Sequence, residues 1–312
     1  MPSARPAEAQ TTSTVLVIRP ARFGANPETA ATNAFQRGGA GDAGVLARAR
    51  REFDELVAVL EENDVAVLVV DDTFEPAKPD AVFPNNWISF HADGTVVLYP
   101  MLAPSRRLEV RAELLVELER RGLGAPRRVL DLRAGAEADF LEGTGSLVLD
   151  RVARVAYAGL SPRTARALLA RFSAELGYRP LAFHATDARG LPIYHTNVMM
   201  SVGTRFAVAC LESIGDAEER LAVGQALSRS GHELVPITLA QLDEFAGNVL
   251  ELRSRGGEPL LVLSARARRA FRPDQLAVLE RHARLVSAEL TTIEEHGGGS
   301  ARCMLAEVFG PR

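Results

Sequence analysis

Glu294-Glu-His-Gly-Gly-Gly-Ser-Ala-Arg-Cys303, followed at once by Met304-Leu-Ala-Glu-Val-Phe309, is the stretch that decides how this chain must fold. Three consecutive glycines allow a sharp turn and a close approach of backbone to a ligand. They lead to a cysteine near the C-terminus, and the apolar residues after it read as a short strand. A strand so late in the chain has to find its partner much earlier. A thiol beside it could act as a nucleophile, since surroundings set how readily the reactive thiolate forms. The plain alternative is a glycine turn followed by an inert core thiol.

Working outward, the chain repeats one order of elements. Residues 14–19 and 65–70 read as strands on either side of a helix over 47–62, whose Phe53, Leu56, Val57, Val59 and Leu60 recur at helical spacing. Residues 21–47 between them read as a loop on the side of the site. A hairpin over 87–90 and 95–99, turning at Asp93-Gly94, precedes a helix over 107–121 and a strand at 128–132. A third unit has strands at 146–149 and 155–158, a helix over 162–176 and a strand at 180–183. The fourth runs 198–202, 205–210, 216–230 and 233–237. The fifth runs 249–252, 260–263, 265–282 and 284–287. The strand at 304–309 then supplies the hairpin partner that the first unit lacks. Five ββαβ units closed by the last strand make a single α/β repeat domain over 13–312, preceded by residues 1–12 as a disordered tail.

Composition bounds the function. Apolar residues make up 47% and charged residues 24% of 312, enough for a full core. A net charge of −4, with acids and bases mixed, excludes the basic stripe of a nucleic-acid binder. No apolar run reaches the length of a membrane span, and the first residues lack the apolar segment of a signal peptide. Two cysteines, Cys210 and Cys303, make no disulfide framework and fit a reducing cytoplasm. Whether the chain pairs as a homodimer is left open.

Each unit carries a polar cluster at or before its first strand: Asp80 to Asn86, Glu142 to Ser146, Tyr194 to Asn197, Gly247-Asn248, and the glycine run to Cys303. Five clusters at equivalent places point to one shared site. Cys303 is then the nucleophile, His195 the acid/base, and Glu142 the carboxylate that orients His195 and steadies its protonated form. Taken alone, His195 would read as a hydrogen-bonded core histidine and Glu142 as a turn carboxylate. The remaining histidines show no metal-ligand spacing, and no metal or organic cofactor is implied.

These residues resemble the pentein superfamily of guanidino-group-modifying enzymes, among them arginine deiminases, dimethylarginine hydrolases and amidinotransferases. The likeness runs from Val15 to Phe309. It rests on Asp80-Ala-Val-Phe-Pro-Asn-Asn86, Leu141-Glu-Gly-Thr-Gly145, Ala158-Gly-Leu-Ser-Pro-Arg163-Thr, His195-Thr-Asn197 and Gly-Gly-Gly-Ser-Ala-Arg-Cys303-Met. It implies a five-bladed α/β propeller, with Cys303, His195 and Glu142 catalytic and with Arg106 and Arg163 at the substrate's amino-acid end. Arg19-Pro-Ala-Arg-Phe-Gly-Ala-Asn26 together with Asn33-Ala-Phe-Gln36 resembles the citrulline-utilisation hydrolases more narrowly.

Substrate choice turns on charge. A guanidinium is a cation with five donors and no acceptor, and it calls for carboxylates. Guanidine-processing relatives carry a carboxylate where this chain has Asn86, and many deiminases another where it has Asn197. A neutral ureido group suits Asn85, Asn86 and Asn197, with Asp80 as the nearby anion and Asn248 placed by repeat position. The expectation is therefore hydrolysis of citrulline to ornithine, ammonia and CO2. Deimination of a guanidine or amidino transfer is the alternative, and a non-catalytic binding member of the fold comes third.

Overall fold

The computed structural model describes residues 8–37, 44–111, 113–136 and 138–310. Strands β1 (Thr14–Arg19) and β2 (Ala66–Asp71) pair in parallel across the helix Val45–Glu62. That helix turns Val45, Ala49, Phe53, Leu56 and Leu60 inward, a stripe at three- and four-residue spacing. Phe53, Leu56 and Leu60 are 1% exposed or less, and each contributes about 2 kcal/mol by leaving water.

The same unit recurs. β3 (Ile88–Phe90), β4 (Thr95–Leu98) and β5 (Arg128–Asp131) form one sheet, and β6 (Val148–Asp150), β7 (Val155–Gly159) and β8 (Arg179–Phe183) the next. β9 (Met200–Val202), β10 (Phe206–Ala209) and β11 (Glu233–Pro236) follow, then β12 (Leu250–Arg253), β13 (Pro259–Ser264) and β14 (Arg284–Ala288). In all four the first pair is antiparallel and the second parallel. Last comes β15 (Ala306–Glu307), antiparallel to β1 with Val15 opposite Glu307, so the chain's end completes its first sheet. The result is an α/β fold of five small sheets with one connectivity.

Three expectations are corrected. The helix foreseen over 107–121 is broken into Pro104–Arg107, Leu114–Leu118 and a wide turn over Glu119–Leu123. The chain leaves the helical path after Arg107, and Glu109 turns inward to bond Arg106. The helix over 265–282 is two, Ala265–Ala270 and Pro273–His282, since Pro273 holds Arg272 in extended backbone. The strand over 304–309 shrinks to two residues, because Ala301–Met304 winds into a tight helical turn that seats Cys303.

The tail expected to be disordered over 1–12 is buried at Glu8 and from Gln10 to Thr12; residues 1–7 of that expectation lie outside the described residues. Gln10 Nε2 donates to the carbonyls of Leu149 and Val202, both at 2.9 Å, and Thr12 Oγ1 donates to Val308 at 2.6 Å. Glu8 accepts from Arg151 Nη1 and Arg154 Nη1 at 2.7 Å and from Tyr178 Oη at 2.8 Å. Composition hid this, because a short polar segment reads as solvated until buried arginines elsewhere are known to need it.

Burial pushes the Glu8 carboxyl up, yet Arg151 and its other partners hold it below the ordinary value. Its stabilising contribution is therefore present above the unfolded carboxylate's pKa and is lost as pH falls. Replacing Glu8 with Gln removes the nearer of the two carboxylates beside buried Arg151, leaving Glu307 at 3.8 Å, and is expected to cost about 3 kcal/mol. Urea unfolding at neutral pH measures this, and the gap between variant and parent narrows towards pH 3.

Candidate active site

Short polar turns sit at the heads of the sheets. Pro84–Asn86, Gly143–Ser146, Thr196–Met199 and Ala301–Met304 are each one helical turn. The turn of Pro84–Asn86 packs on Gly143–Ser146 and on Ala301–Met304, and Gly143–Ser146 packs on Thr196–Met199. The fit leaves no room for side chains at two glycines. A β-carbon at Gly143 would lie 2.1 Å from the Asn85 carbonyl oxygen, and one at Gly145 would lie 2.3 Å from Asn86 Nδ2 and 2.8 Å from His195 Nδ1.

This packing brings together groups distant in sequence. Asp80, Asn86, Arg106, Arg163, His195 and Cys303 line one narrow cleft, with Thr29, Asn33, Phe83, Tyr194 and Gly297 to Gly299. Glu142 lies behind it, 0% exposed. Its Oε2 meets His195 Nε2 at 2.8 Å and Arg163 Nη1 at 3.4 Å, and its Oε1 accepts from Leu102 N at 3.0 Å. Burial alone would push the carboxyl up, but Arg163, His195 and Arg106 hold it far below the ordinary range. With Nε2 engaged by Glu142, Nδ1 is the imidazole nitrogen free to exchange protons.

Cys303 is 3% exposed. Burial pushes its thiol up, against smaller downward pulls from the Ser300 backbone, Asn248 and Arg302. Burial likewise drives His195 down to about 4, with Glu142 pulling the other way and Arg163 and Arg106 adding to the fall. Burial thus favours the neutral form of each group. A cation in the cleft would favour the thiolate.

Arg106 and Arg163 are at the cleft, but their guanidinium groups are already engaged. Glu109 takes Nε and Nη2 of Arg106 at 2.9 and 3.0 Å, and Asn86 Oδ1 takes Nη1 at 3.0 Å. Those two nitrogens are the fork that a bidentate carboxylate contact would use, so the expected clasp by Arg106 is not available as the side chain stands. Arg163 bonds Thr32 Oγ1, the Thr29 carbonyl and Glu142, and lies over the Tyr194 ring. Asn85, Asn197 and Asn248, expected to touch substrate, do not line the cleft. Asn85 packs against Gly143, while Asn197 and Asn248 reach the sulfur.

Several contributors were missed. Glu109 looked like a surface residue of a helix that is not formed. Thr29 and Thr32 belong to the loop at 21–47, of which 38–43 lie outside the described residues. The described part folds over the cleft: Asn26 Nδ2 donates to Asp80 Oδ2 at 2.8 Å, and Gln36 Nε2 donates to the His296 carbonyl at 2.9 Å. The Asn26-Pro27 pair, which starts the helix Pro27–Ala30, was the available signal. Tyr194 was flagged only by its place beside His195. Its hydroxyl donates to the Gly298 carbonyl at 2.5 Å, and Gly298 itself has φ +65°, which explains the glycine there. Among the described residues, no cluster of His, Cys, Asp and Glu could hold a metal ion, and no helix is long and apolar enough to cross a membrane.

The family model described as N,N dimethylarginine dimethylhydrolase, eukaryotic, matches residues 19–310. The chain belongs to this family. With it the chain falls in the guanidino-group-modifying pentein superfamily. No curated protein matches the sequence. Among solved structures, the substrate-bound N-terminal domain of ArgZ, an arginine dihydrolase from cyanobacteria, is 17% identical, with a TM-score of 0.73 over 96% of this chain and 98% of that one. The apo structure of ArgZ is 18% identical with a TM-score of 0.74 over 96% of this chain, which spans only 41% of it. A dimethylarginine dimethylaminohydrolase adduct with S-methyl-L-thiocitrulline is 16% identical, with a TM-score of 0.65 over 94% and 98% of the two chains. At these identities the likeness establishes the fold, and the family's relatives are hydrolases of guanidino C–N bonds.

Replacing Gly145 with Ala is expected to displace His195 and Asn86 by a fraction of an ångström to an ångström and to lower kcat/KM about 100-fold. Steady-state kinetics on a variant shown folded by circular dichroism checks this.

Proposed function

We propose that the protein hydrolyses a terminal C–N bond of the guanidino group of arginine or a close relative, with Cys303 as nucleophile. The observation that carries this reading is Asp80. It is 2% exposed and lines the cleft with Cys303, and its Oδ1 has no hydrogen-bond partner. A buried carboxylate oxygen facing a cleft calls for a charged N–H donor. A guanidinium held there would also draw the thiol towards thiolate. The arginine dihydrolase and dimethylarginine dimethylaminohydrolase relatives support the same substrate class.

In this reading the Cys303 proton passes to His195 Nδ1, and the sulfur attacks the guanidino carbon. The C–N bond breaks as His195 returns the proton to the departing nitrogen, leaving an amidino group bonded to sulfur. Water, deprotonated by His195, adds to that carbon, and the C–S bond breaks to restore the thiolate. Glu142 steadies the imidazolium through Nε2. The chemistry calls for no cofactor. The five sheets form one catalytic unit, as the blades of a closed propeller about the cleft.

One observation favours citrulline as a second substrate. Asn86 Oδ1 accepts from Arg106, which fixes the amide's orientation, and its Nδ2 has no partner. A guanidinium offers that donor nothing, whereas a ureido oxygen would accept from it.

Incubation with arginine, dimethylarginine and citrulline, followed by assay of citrulline, ornithine and ammonia, tests both readings. Arginine is expected to be consumed, and Cys303→Ala to be inert. Turnover of citrulline alone would overturn the guanidino reading, and turnover of none of the three would overturn hydrolysis of this class. Asp80→Asn is expected to lower kcat/KM for arginine about 100-fold, and that for citrulline by less.

A further inference from the structure

The Cys303 sulfur has to carry negative charge in a place that water barely reaches. His195 supplies a proton acceptor, but the buried neutral imidazole offers no charge in advance. Two side-chain donors reach the sulfur directly: Asn248 Nδ2 at 3.2 Å and Asn197 Nδ2 at 3.7 Å. The nearer of them is held with unusual care.

Asn248 is 0% exposed. Its Nδ2 also donates to the Asn197 carbonyl at 2.9 Å, so the two amide hydrogens have one acceptor each. The opposite orientation would set Oδ1 against that carbonyl oxygen and against the sulfur lone pairs, which decides the amide's direction. The backbone is equally constrained. Asn248 N donates to the Phe245 carbonyl at 2.9 Å. Phe245 has φ +60°, a left-handed conformation that a bulky residue rarely adopts. A β-carbon at Gly247 would lie 2.3 Å from the Val198 carbonyl oxygen. Strained backbone and an excluded side chain thus fix a single carboxamide against the sulfur, while its Oδ1 stays without a partner. An amide whose oxygen is orphaned in the interior is kept there for its nitrogen.

We propose that Asn248 is the catalytic donor that holds the charge on the Cys303 sulfur. Its Nδ2–H donates to the thiolate when the proton moves to His195, and again when the C–S bond breaks and the electron pair returns to sulfur. A carboxamide suits this because it remains a neutral donor at every working pH, whereas a carboxylate at the same place would repel the charge. Asn197, whose Nδ2 and Oδ1 lie 3.7 and 3.8 Å from the sulfur, is chiefly the seat of Asn248. The assignment rests on Cys303 being the nucleophile.

The test follows the rate of Cys303 alkylation by iodoacetamide against pH, read by mass spectrometry on the full chain. In Asn248→Ala the midpoint of the rise is expected about one unit higher than in the parent, and in Asn248→Asp higher still through like charge. kcat on arginine at neutral pH is expected to fall about tenfold in the alanine variant, with KM little changed. The aspartate variant, nearly isosteric, keeps the test readable if alanine loosens the fold. Parent-like midpoints in folded variants would overturn the assignment to Asn248. A parent Cys303 that resists alkylation at every pH would overturn the nucleophile itself, a result of a different kind.

Discussion

A carboxylate with no exposure to water stays ionised at the heart of this protein, and the rest of the site is arranged around keeping it so. Glu142 has the Leu102 N–H, the His195 imidazole and the Arg163 guanidinium within reach, with Arg106 Nη1 a further 3.6 Å away. Removing a charge from water costs several kcal/mol unless such partners replace it. These partners come from three separate stretches of chain, so the carboxylate can be ionised only in the assembled fold. Its charge in turn selects the tautomer of His195, with the proton on Nε2 towards the carboxylate and Nδ1 as the other ring nitrogen.

The charges around it balance closely. Asp80, Glu109 and Glu142 face Arg106 and Arg163, and the arginines that resemblance assigned to the substrate also neutralise the site's own acids. Three carboxyl groups thus share two arginines, and burial pushes the Glu109 carboxyl up to about 7. The amides divide differently. Asn86 lines the cleft with an unpartnered Nδ2, while Asn197 and Asn248 reach the sulfur.

Repetition made the architecture readable. Continuous apolar runs such as Val15-Leu-Val-Ile18 and the helical stripe from Ala49 to Leu60 mark elements, and their fivefold return marks the connectivity, down to β15 closing on β1. Failures fell where a tertiary partner overrides local pattern. The N-terminal segment is ordered because Arg151 and Arg154, more than 140 residues away, need Glu8. No local pattern contains those partners.

The sequence by itself determined the order of elements, the single repeat architecture and the identity of the residues able to do chemistry, because periodicity and residue type are properties of the chain. Only the tertiary structure decided which of those residues share a cleft and which partner each one faces. Hydrogen bonding and charge act through distances of a few ångströms. Between residues more than fifty positions apart, such as Glu142 and His195 or Asn248 and Cys303, folding alone sets those distances.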